Sequence, residues 1–165
     1  MGVYTLQAEQ VLYTDIQTAW DFLCNPQNLR VITPEYMGFV VHTPNLPEKI
    51  YPGLMIQYTV RPVLRIPMRW VTEITHVSDK TFFVDEQRVG PYRIWHHEHH
   101  IQQIDSGVLM RDIVTYQPPM GVLGSVANVL FIRRQLNQIF NYRRKVLNNM
   151  FGEATGDRIE LRRVK

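Results

Sequence analysis

The sequence has one cysteine, Cys24, among its 165 residues, so an internal disulfide framework is excluded. No stretch approaches about 18 uninterrupted apolar residues, and no membrane-spanning helix is predicted. The first residues, MGVYTLQAEQ, lack a charged region followed by an apolar run, so they do not predict a signal peptide. We therefore expect a cytoplasmic protein. Because Cys24 lies in the apolar segment WDFLC, we expect a buried, inert thiol.

The sequence also lacks a strong charge of either sign. Lys and Arg number 18 against 15 Asp and Glu, and the formal net charge is +3. Nucleic-acid-binding domains usually carry a denser basic surface with interleaved aromatics, so we expect no nucleic-acid partner. A hydrophobic content of 45% and a charged content of 20% are typical of a single globular domain with a core. The oligomeric state stays open.

The longest periodic segment runs from Gly121 to Phe151, without proline and with glycine only in its first turn. Its apolar residues recur at three- and four-residue steps, as on one face of a helix: Leu123, Val126, Leu130, Leu136, Ile139, Phe140, Leu147, Met150 and Phe151. About 30 residues make a helix of about 45 Å. A helix of that length needs a broad apolar cover to be stable, and Gly152 ends it.

The preceding chain is predicted to supply that cover as a curved antiparallel sheet. Alternation and turn signals predict seven strands: Tyr4–Tyr13, Met37–Thr43, Met55–Arg61, Met68–Val77, Thr81–Gln87, Tyr92–Ile104 and Val108–Gln117. Two short helices, Ile16–Phe22 and Pro26–Ile32, follow the first strand. No strand–helix–strand alternation is present, so the class is α+β. Residues 1–151 form one domain, with the long helix across the concave face. Residues 152–165 form a polar tail, where Arg158–Val164 is a candidate edge segment.

The densest polar chemistry lies in the segment RIWHHEHHIQ, residues 93–102. Side chains alternate between the two faces of a strand. Trp95, His97, His99 and Ile101 therefore share one face, and because two of them are apolar this face should point inward. The alternate residues, including two further histidines, should meet water.

The next predicted strand places Met110, Asp112, Val114 and Tyr116 on one face. A two-residue loop at Ser106-Gly107 would set three cross-strand pairs: His97 with Tyr116, His99 with Val114, and Ile101 with Asp112. His99 and Asp112 would then be diagonal neighbours within hydrogen-bonding reach. A register slip of two residues changes these partners but keeps the faces.

Three interpretations of this group compete. Two histidines two residues apart beside Asp112 suit a metal ion, but no HExxH or CxxC pattern accompanies them, and we expect neither a metal nor a cofactor. His97 or His99, polarised by Asp112, is a candidate general base. Alternatively, these three residues and Tyr116 form a buried, mutually satisfied polar network that also lines a ligand cavity.

Aromatic residues at period two are usually core, and a cavity lined by core-type residues is also what a lipophilic ligand needs. Arg143 lies close to the apolar stripe of the long helix, where it could close a pocket mouth or hold an anionic ligand. The candidate ligand-binding residues are Tyr58, Trp70, Phe83, Trp95, His97, His99, Asp112, Tyr116, Leu130 and Arg143.

The segment TDIQTAWDFLCNPQNLRVITP resembles the helix pair after strand one in the SRPBCC superfamily. That superfamily includes START lipid-transfer domains, polyketide cyclases, plant pathogenesis-related allergens and coenzyme-Q-binding proteins. Residues 68–124 resemble a bacterial branch, and thirteen positions carry that resemblance: Trp70, Ile74, Phe83, Asp85, Gly90, Pro91, Trp95, His97, His99, Asp112, Tyr116, Pro119 and Gly121. The resemblance implies a helix-grip fold with an internal apolar cavity, and it supplies no catalytic set.

The sequence and this resemblance together favour binding of a hydrophobic or amphipathic small molecule, such as a lipid, quinone, sterol or polyketide, between sheet and helix. The alternative is an enzyme of cyclase or dehydratase type that uses a cavity histidine as general acid/base, with His97, His99 and Asp112 as catalytic candidates. A third class is a protein-interaction module whose interior is filled by side chains.

Overall fold

The computed structural model describes residues 2–61, 66–119, 131–152 and 158–164. Its elements in chain order are β1 (Tyr4–Leu12), α1 (Ile16–Leu23), two 3-10 helices (Pro26–Arg30 and Glu35–Met37), β2 (Val40–Val41), β3 (Met55–Val60), β4 (Met68–Ser78), β5 (Phe82–Val89), β6 (Ile94–Ile104), β7 (Gly107–Gln117), α2 (Arg133–Phe151) and β8 (Arg158–Arg163). The α+β class is therefore confirmed.

The strands form a single antiparallel sheet in the order β2-β3-β4-β5-β6-β7-β1-β8. It has eight strands where we predicted seven, because β8 pairs along β1 from Tyr4↔Arg163 to Glu9↔Arg158. Most residues of β8 are polar, but two are apolar, Ile159 and Leu161, and both pack against a buried cluster of the core. These contacts hold the described part of the tail on the sheet.

The second strand and the second helix differ from the prediction. Glu35–Met37 is a 3-10 helix that ends at Gly38, a residue in the left-handed conformation with φ 53°. Only Val40–Val41 of the predicted strand Met37–Thr43 pairs in the sheet. The predicted helix Pro26–Ile32 is a 3-10 helix that ends at Arg30. Short segments between prolines and a glycine do not build a second α-helical turn or a long strand.

The first helix, α1, is capped by the side chain of Asp15. The Asp15 carboxylate accepts a hydrogen bond of 2.9 Å from the Thr18 backbone N–H, which satisfies one of the free donors of the first turn. Ala19, Trp20 and Leu23 are the buried residues of α1. Cys24, directly after the helix, is buried as predicted, and this burial raises the pKa of its thiol to about 12.

Within the predicted helix Gly121–Phe151, α2 covers Arg133–Phe151, and the predicted positions Leu123, Val126 and Leu130 lie outside the described residues. The buried residues of α2 follow one another at helical steps: Leu136, Phe140, Arg143 and Leu147. Met150, which we placed on the apolar stripe, is 48% exposed. Within the described chain, no helix combines the length and hydropathy needed to cross a membrane.

Leu136 and Phe140 bring α2 against the sheet. They belong to the same buried cluster as Leu6 of β1 and Val114 and Tyr116 of β7. Because alternate strand residues share a face, α2 covers the face of β7 that also carries Asp112. The helix therefore lies over the inward polar residues that the sequence singles out.

The β6–β7 hairpin turns one residue earlier than predicted, so each cross-strand partner is shifted by two residues. Ile104 pairs with Gly107, so the loop is Asp105-Ser106 and His99 lies directly opposite Asp112. Gly107, at φ 136°, begins β7, and a Cβ on it would lie 2.2 Å from the Leu12 carbonyl oxygen. This close approach fixes the turn at a glycine. A two-residue shift preserves the faces, so the predicted inward set is unchanged.

Candidate functional site

A cavity of about 200 Å³ lies between the sheet and α2. Its wall is mostly apolar, with strand residues such as Ile56 and Ile74 facing Leu136 and Phe140 of the helix. The segment after β1 closes one side, where Phe22 and other residues of α1 and the two 3-10 helices contribute to the lining. The short helical segments therefore act as a plug at one end of the sheet.

The candidate ligand-binding residues fall into three groups. Seven line the cavity: Tyr58, Trp70, Phe83, Trp95, His97, His99 and Arg143. Asp112 and Tyr116 are fully buried and do not belong to the described lining of this cavity. Leu130 lies outside the described residues.

The aromatic candidates form a continuous layer on the cavity wall. The Tyr58 and Trp70 rings are stacked with centroids 6.0 Å apart, and Trp70 meets Trp95 edge to face at 5.2 Å. Phe83 stacks on the His99 imidazole at 4.0 Å. Rings packed in this way are rigid, so the cavity wall is preformed on this side.

The polar side of the cavity is a cluster of two histidines and two aspartates, which we call the inner cluster: His97, His99, Asp85 and Asp112. Asp112 Oδ1 lies 3.0 Å from His97 Nε2 and 2.9 Å from His99 Nδ1. Asp85 Oδ2 lies 2.7 Å from His99 Nε2 and 3.4 Å from His97 Nδ1. Each imidazole is thus held between two carboxylates.

Arg143 connects the helix to the inner cluster. Its Nη1 lies 3.2 Å from Asp112 Oδ1, and its Nη2 lies 3.5 Å from His99 Nδ1. The side chain is 7% exposed, so Arg143 is an interior residue of this structure rather than a solvated one. A buried guanidinium requires a buried anion, and Asp112 supplies it.

The surroundings of the two histidines of the inner cluster shift their pKa values in opposite directions. Burial lowers the pKa of His97, and the nearby His99 charge lowers it further. Burial also acts to lower the pKa of His99, but hydrogen bonds to Asp112 and Asp85 outweigh it and raise that pKa. Burial alone would raise the pKa of Asp112, yet Arg143 and the two histidines hold it well below its usual range.

Asp85 is the member of the inner cluster that the candidate site residues did not include, although it is one of the positions that carry the family resemblance. Burial opposes its ionisation, but the charges of His97, His99 and Arg143 leave its pKa lowered. A signal was present in the sequence, because Asp85 lies two residues after Phe83 on one strand and therefore shares its face. β5 pairs with β6 and places Asp85 opposite His97.

The other two histidines of β6 lie on the outer face. His96 Nδ1 is 3.0 Å from Glu86 Oε1, and His100 Nε2 is 3.0 Å from Glu98 Oε2. The side chains of His96 and His100 are 36% and 37% exposed. The alternation predicted for this strand is confirmed.

Buried polar atoms without a hydrogen-bond partner in the described structure are Trp70 Nε1, Arg143 Nε and Asp112 Oδ2. Trp70 and Arg143 both line the cavity, and both of their atoms are donors. A buried donor without a partner costs about 1–3 kcal/mol, so a ligand oxygen that accepted from either would relieve that cost.

No protein-family model matches the sequence, and no curated protein matches it. Solved structures do match it. Protein TTHA0849 from Thermus thermophilus has a TM-score of 0.66 at 13% identity, over 88% of this chain and 94% of that one. A START superfamily protein from Mycobacterium smegmatis has a TM-score of 0.66 at 9% identity, over 90% and 97%. Ara h 8.0201 has a TM-score of 0.57 at 14% identity, over 90% and 99%.

Identities this low show the fold alone. The matches span nearly the whole length of each structure, and they include a START protein. The chain therefore has an SRPBCC-type fold, in which a curved antiparallel sheet and a C-terminal helix enclose the interior. The fold that the sequence resemblance implied is confirmed in part: the antiparallel sheet and the C-terminal helix are present, but the sheet has eight strands where seven were predicted.

Proposed function

We propose that the protein binds a hydrophobic or amphipathic small molecule in the cavity between the sheet and α2. The observation that carries this proposal is a mostly apolar cavity of about 200 Å³ with the inner cluster on one wall. Apolar enclosure supplies affinity, and a few fixed polar groups supply orientation. The START-type fold supports a role in binding hydrophobic ligands in general.

The size of the cavity limits what it encloses. An engineered apolar cavity of about 150 Å³ in another protein accepts benzene, and this one measures about 200 Å³. It therefore suits a ligand of one or two rings, or one end of a longer amphipathic molecule. Among lipids, quinones, sterols and polyketides, we favour those whose oxygen-bearing end is a compact ring system.

The polar groups of the cavity wall indicate which end of the ligand enters the cavity. Trp70 Nε1 and Arg143 Nε are buried donors that lack partners in the described structure, and both residues line the cavity. A carbonyl, hydroxyl or carboxylate oxygen accepts from such donors. The ligand should therefore place an acceptor oxygen near Trp70 of β4 or Arg143 of α2, and its apolar part against the remaining apolar wall.

The direct test is recovery of a ligand. Protein purified from its own host should give, by native mass spectrometry, a complex heavier than the chain, and extraction should release an amphipathic molecule. A ring-type probe such as a short-chain quinone should then quench the fluorescence of Trp70 and Trp95, which line the cavity. The proposal is contradicted if the purified protein retains no ligand and no quinone, sterol or fatty acid quenches its fluorescence saturably.

A pair of variants on β3 sharpens the test. Ile56 is buried and lines the cavity, whereas Gln57 lies on the opposite face of the strand and is only partly buried. Ile56→Phe fills the cavity and should weaken probe binding at least tenfold, the equivalent of about 1.4 kcal/mol. Gln57→Phe adds a ring of the same size on the other face and should leave binding unchanged.

The runner-up is an enzyme of cyclase or dehydratase type, and one observation favours it. The environments of His97 and His99 shift their pKa values in opposite directions, which is how a site separates a proton acceptor from a proton donor. Incubation with a polyketone probe would then release a product lighter by one water. His97→Gln should lower turnover by about 10²-fold or more. Recovery of the probe unchanged would rule this alternative out for that probe.

The cavity also weighs against the third class considered from the sequence, the interaction module. That class expects side chains to fill the interior between sheet and helix, and the described residues leave about 200 Å³ there.

A further inference from the structure

Three side chains of the inner cluster converge as metal ligands do, and we propose that Asp85, His97 and His99 form a site for a divalent transition-metal ion on the cavity wall. One potential ligand atom from each residue lies within 4.8 Å of those of the other two. All three ligands come from this chain, so the ion can bind without the organic ligand proposed above.

The two distances from Asp85 to the histidines are close to those between neighbouring ligands of one metal ion. Asp85 Oδ2 lies 2.7 Å from His99 Nε2 and 3.4 Å from His97 Nδ1. Nitrogen and oxygen ligands bind Zn²⁺ at about 2.0–2.2 Å, which places neighbouring ligand atoms about 3 Å apart. Small side-chain adjustments therefore suffice to enclose an ion.

Asp112 holds the second ring nitrogen of each histidine, the one that does not face Asp85. His97 Nε2 and His99 Nδ1, the ring nitrogens that do not face Asp85, lie 3.0 Å and 2.9 Å from Asp112 Oδ1. Metal-binding histidines almost always donate their second ring N–H to a carboxylate or carbonyl, which fixes the tautomer that leaves the first nitrogen free for the metal. Asp112 does this for two histidines at once.

The charges around the site also favour an ion. Arg143 approaches from the Asp112 side and lies 3.5 Å from His99 Nδ1, not from the proposed ligand nitrogen Nε2. Its ion pair with Asp112 balances that carboxylate. Asp85 is then the carboxylate available to a metal ion. A cation bound between Asp85 and the two imidazoles would have part of its charge neutralised by Asp85.

The ligand set indicates the type of ion. Two imidazoles and one carboxylate suit Zn²⁺, Fe²⁺ or Co²⁺, whereas Mg²⁺ and Ca²⁺ prefer oxygen ligands alone. Three protein ligands leave at least one coordination position open. Because all three residues line the cavity, that position faces the space where a small molecule would lie.

The sequence pointed to the two histidines but not to the third ligand, because the ligands come from two strands. His97 and His99 are adjacent on one face of β6, but the carboxylate comes from β5, where Asp85 pairs opposite His97. We had considered Asp112 as the third ligand. The structure instead places Asp112 behind the histidines, with no exposed surface.

Titration of the chelator-treated protein with Co²⁺ alone tests the proposal, because Co²⁺ bound by two imidazoles and a carboxylate absorbs visible light. We expect one Co²⁺ per chain, displaced by Zn²⁺. Asp85→Asn and His97→Gln each remove a ligand and should weaken Co²⁺ binding at least about 100-fold, whereas Asp112→Asn, which acts through the histidines, should weaken it about 10–100-fold. His96→Gln and His100→Gln, on the outer face of the same strand, are matched controls and should bind Co²⁺ as the unaltered protein does.

Circular dichroism establishes whether each variant is folded. If a variant does not fold, NMR of the unaltered protein tests the same site. Paramagnetic Co²⁺ should shift the imidazole NMR signals of His97 and His99 strongly and those of His96 and His100 little. The proposal is overturned if the unaltered protein binds no Co²⁺ at millimolar concentration, if Asp85→Asn binds it equally well, or if the outer-face histidines carry the shifts. Because the probe is the metal alone, this result is separate from that of the cavity ligand.

Discussion

Strand β6 carries two pairs of histidines whose surroundings differ on its two faces. His97 and His99 point inward, are 7% and 6% exposed, and lie between Asp85 and Asp112. His96 and His100 point outward, have about a third of their side-chain surface exposed, and pair with Glu86 and Glu98. Four residues of one type on a single strand therefore have two different environments.

The difference lies in which parts of the fold supply the partners. The outer pairs join neighbouring, half-exposed positions of β5 and β6. The inner cluster joins β5, β6 and β7, and through Arg143 it reaches α2. Burial strengthens electrostatic interactions and also makes an unpaired group costly. The inner face should therefore be sensitive to any lost partner, and the outer face should tolerate the same change.

Removal of one carboxylate from each face should give the largest contrast. Asp112→Ala leaves Arg143 as a buried, unpaired charge, and we expect a loss of about 3–5 kcal/mol in the free energy of unfolding. Glu98→Ala on the outer face should cost less than about 1 kcal/mol. Urea unfolding in the presence of EDTA measures both, and equal losses would mean that the inner cluster is not held by charge pairing.

A double-mutant cycle tests whether Asp112 and Arg143 act as a pair. Asp112→Asn with Arg143→Met removes both charges, so the double variant should be more stable than the sum of the two single losses predicts, by about 0.5–3 kcal/mol. The same cycle on Glu86 and Arg88, an outer-face pair 2.9 Å apart, should give a coupling of about 0.2–1 kcal/mol. Strict additivity at the inner pair would contradict this picture.

Replacing a histidine should also destabilise the protein more on the inner face than on the outer face, but the difference in the free energy of unfolding should be smaller. His97→Ala leaves Asp112 and Asp85 with fewer buried donors, and we expect a loss of about 1–3 kcal/mol. His96→Ala should stay within about 0.5 kcal/mol of the unaltered protein. Thermal or urea unfolding of the two variants side by side decides this, and a larger loss for His96→Ala would reverse the assignment of the faces.

The smallest effect concerns salt. Glu86→Gln removes the carboxylate that lies near both His96 and Arg88, and we expect a loss of a few tenths of a kcal/mol at low ionic strength. At 1 M NaCl the screening length falls to about 3 Å, so this loss should vanish. The loss caused by Asp112→Ala should persist at high salt because its groups are buried, and disappearance of that loss would indicate that water reaches the inner cluster.

Much of this arrangement follows from local pattern in the sequence. Alternation of Trp95, His97 and His99 with polar neighbours identified the inward face of β6, and Asp112 and Tyr116 were placed on the inward face of β7 in the same way. These assignments depend only on the period of a strand. For that reason they survived a register error of two residues at the hairpin.

The features that the sequence did not yield depend on contacts between distant segments. Asp85 joins the inner cluster because β5 pairs with β6. The position of Asp85 on the same strand face as Phe83 indicates an inward side chain but does not reveal this pairing. The eighth strand was predicted only as a candidate edge segment, because Arg158–Arg163 has only Ile159 and Leu161 as apolar residues. Its place beside β1 follows from hydrogen bonding along an edge. Neither signal is local.

The strand order has a consequence for how the protein is made. β1 is synthesised first, yet its two neighbours in the described sheet are β7 and β8, with Leu12 opposite Val108 and Tyr4 opposite Tyr116. A nascent chain must therefore keep an apolar strand without its final neighbours until residues 107–117 emerge from the ribosome. Closure of the sheet through such long-range pairing is slow, so the late pairing of β1 should limit the rate at which the sheet is completed.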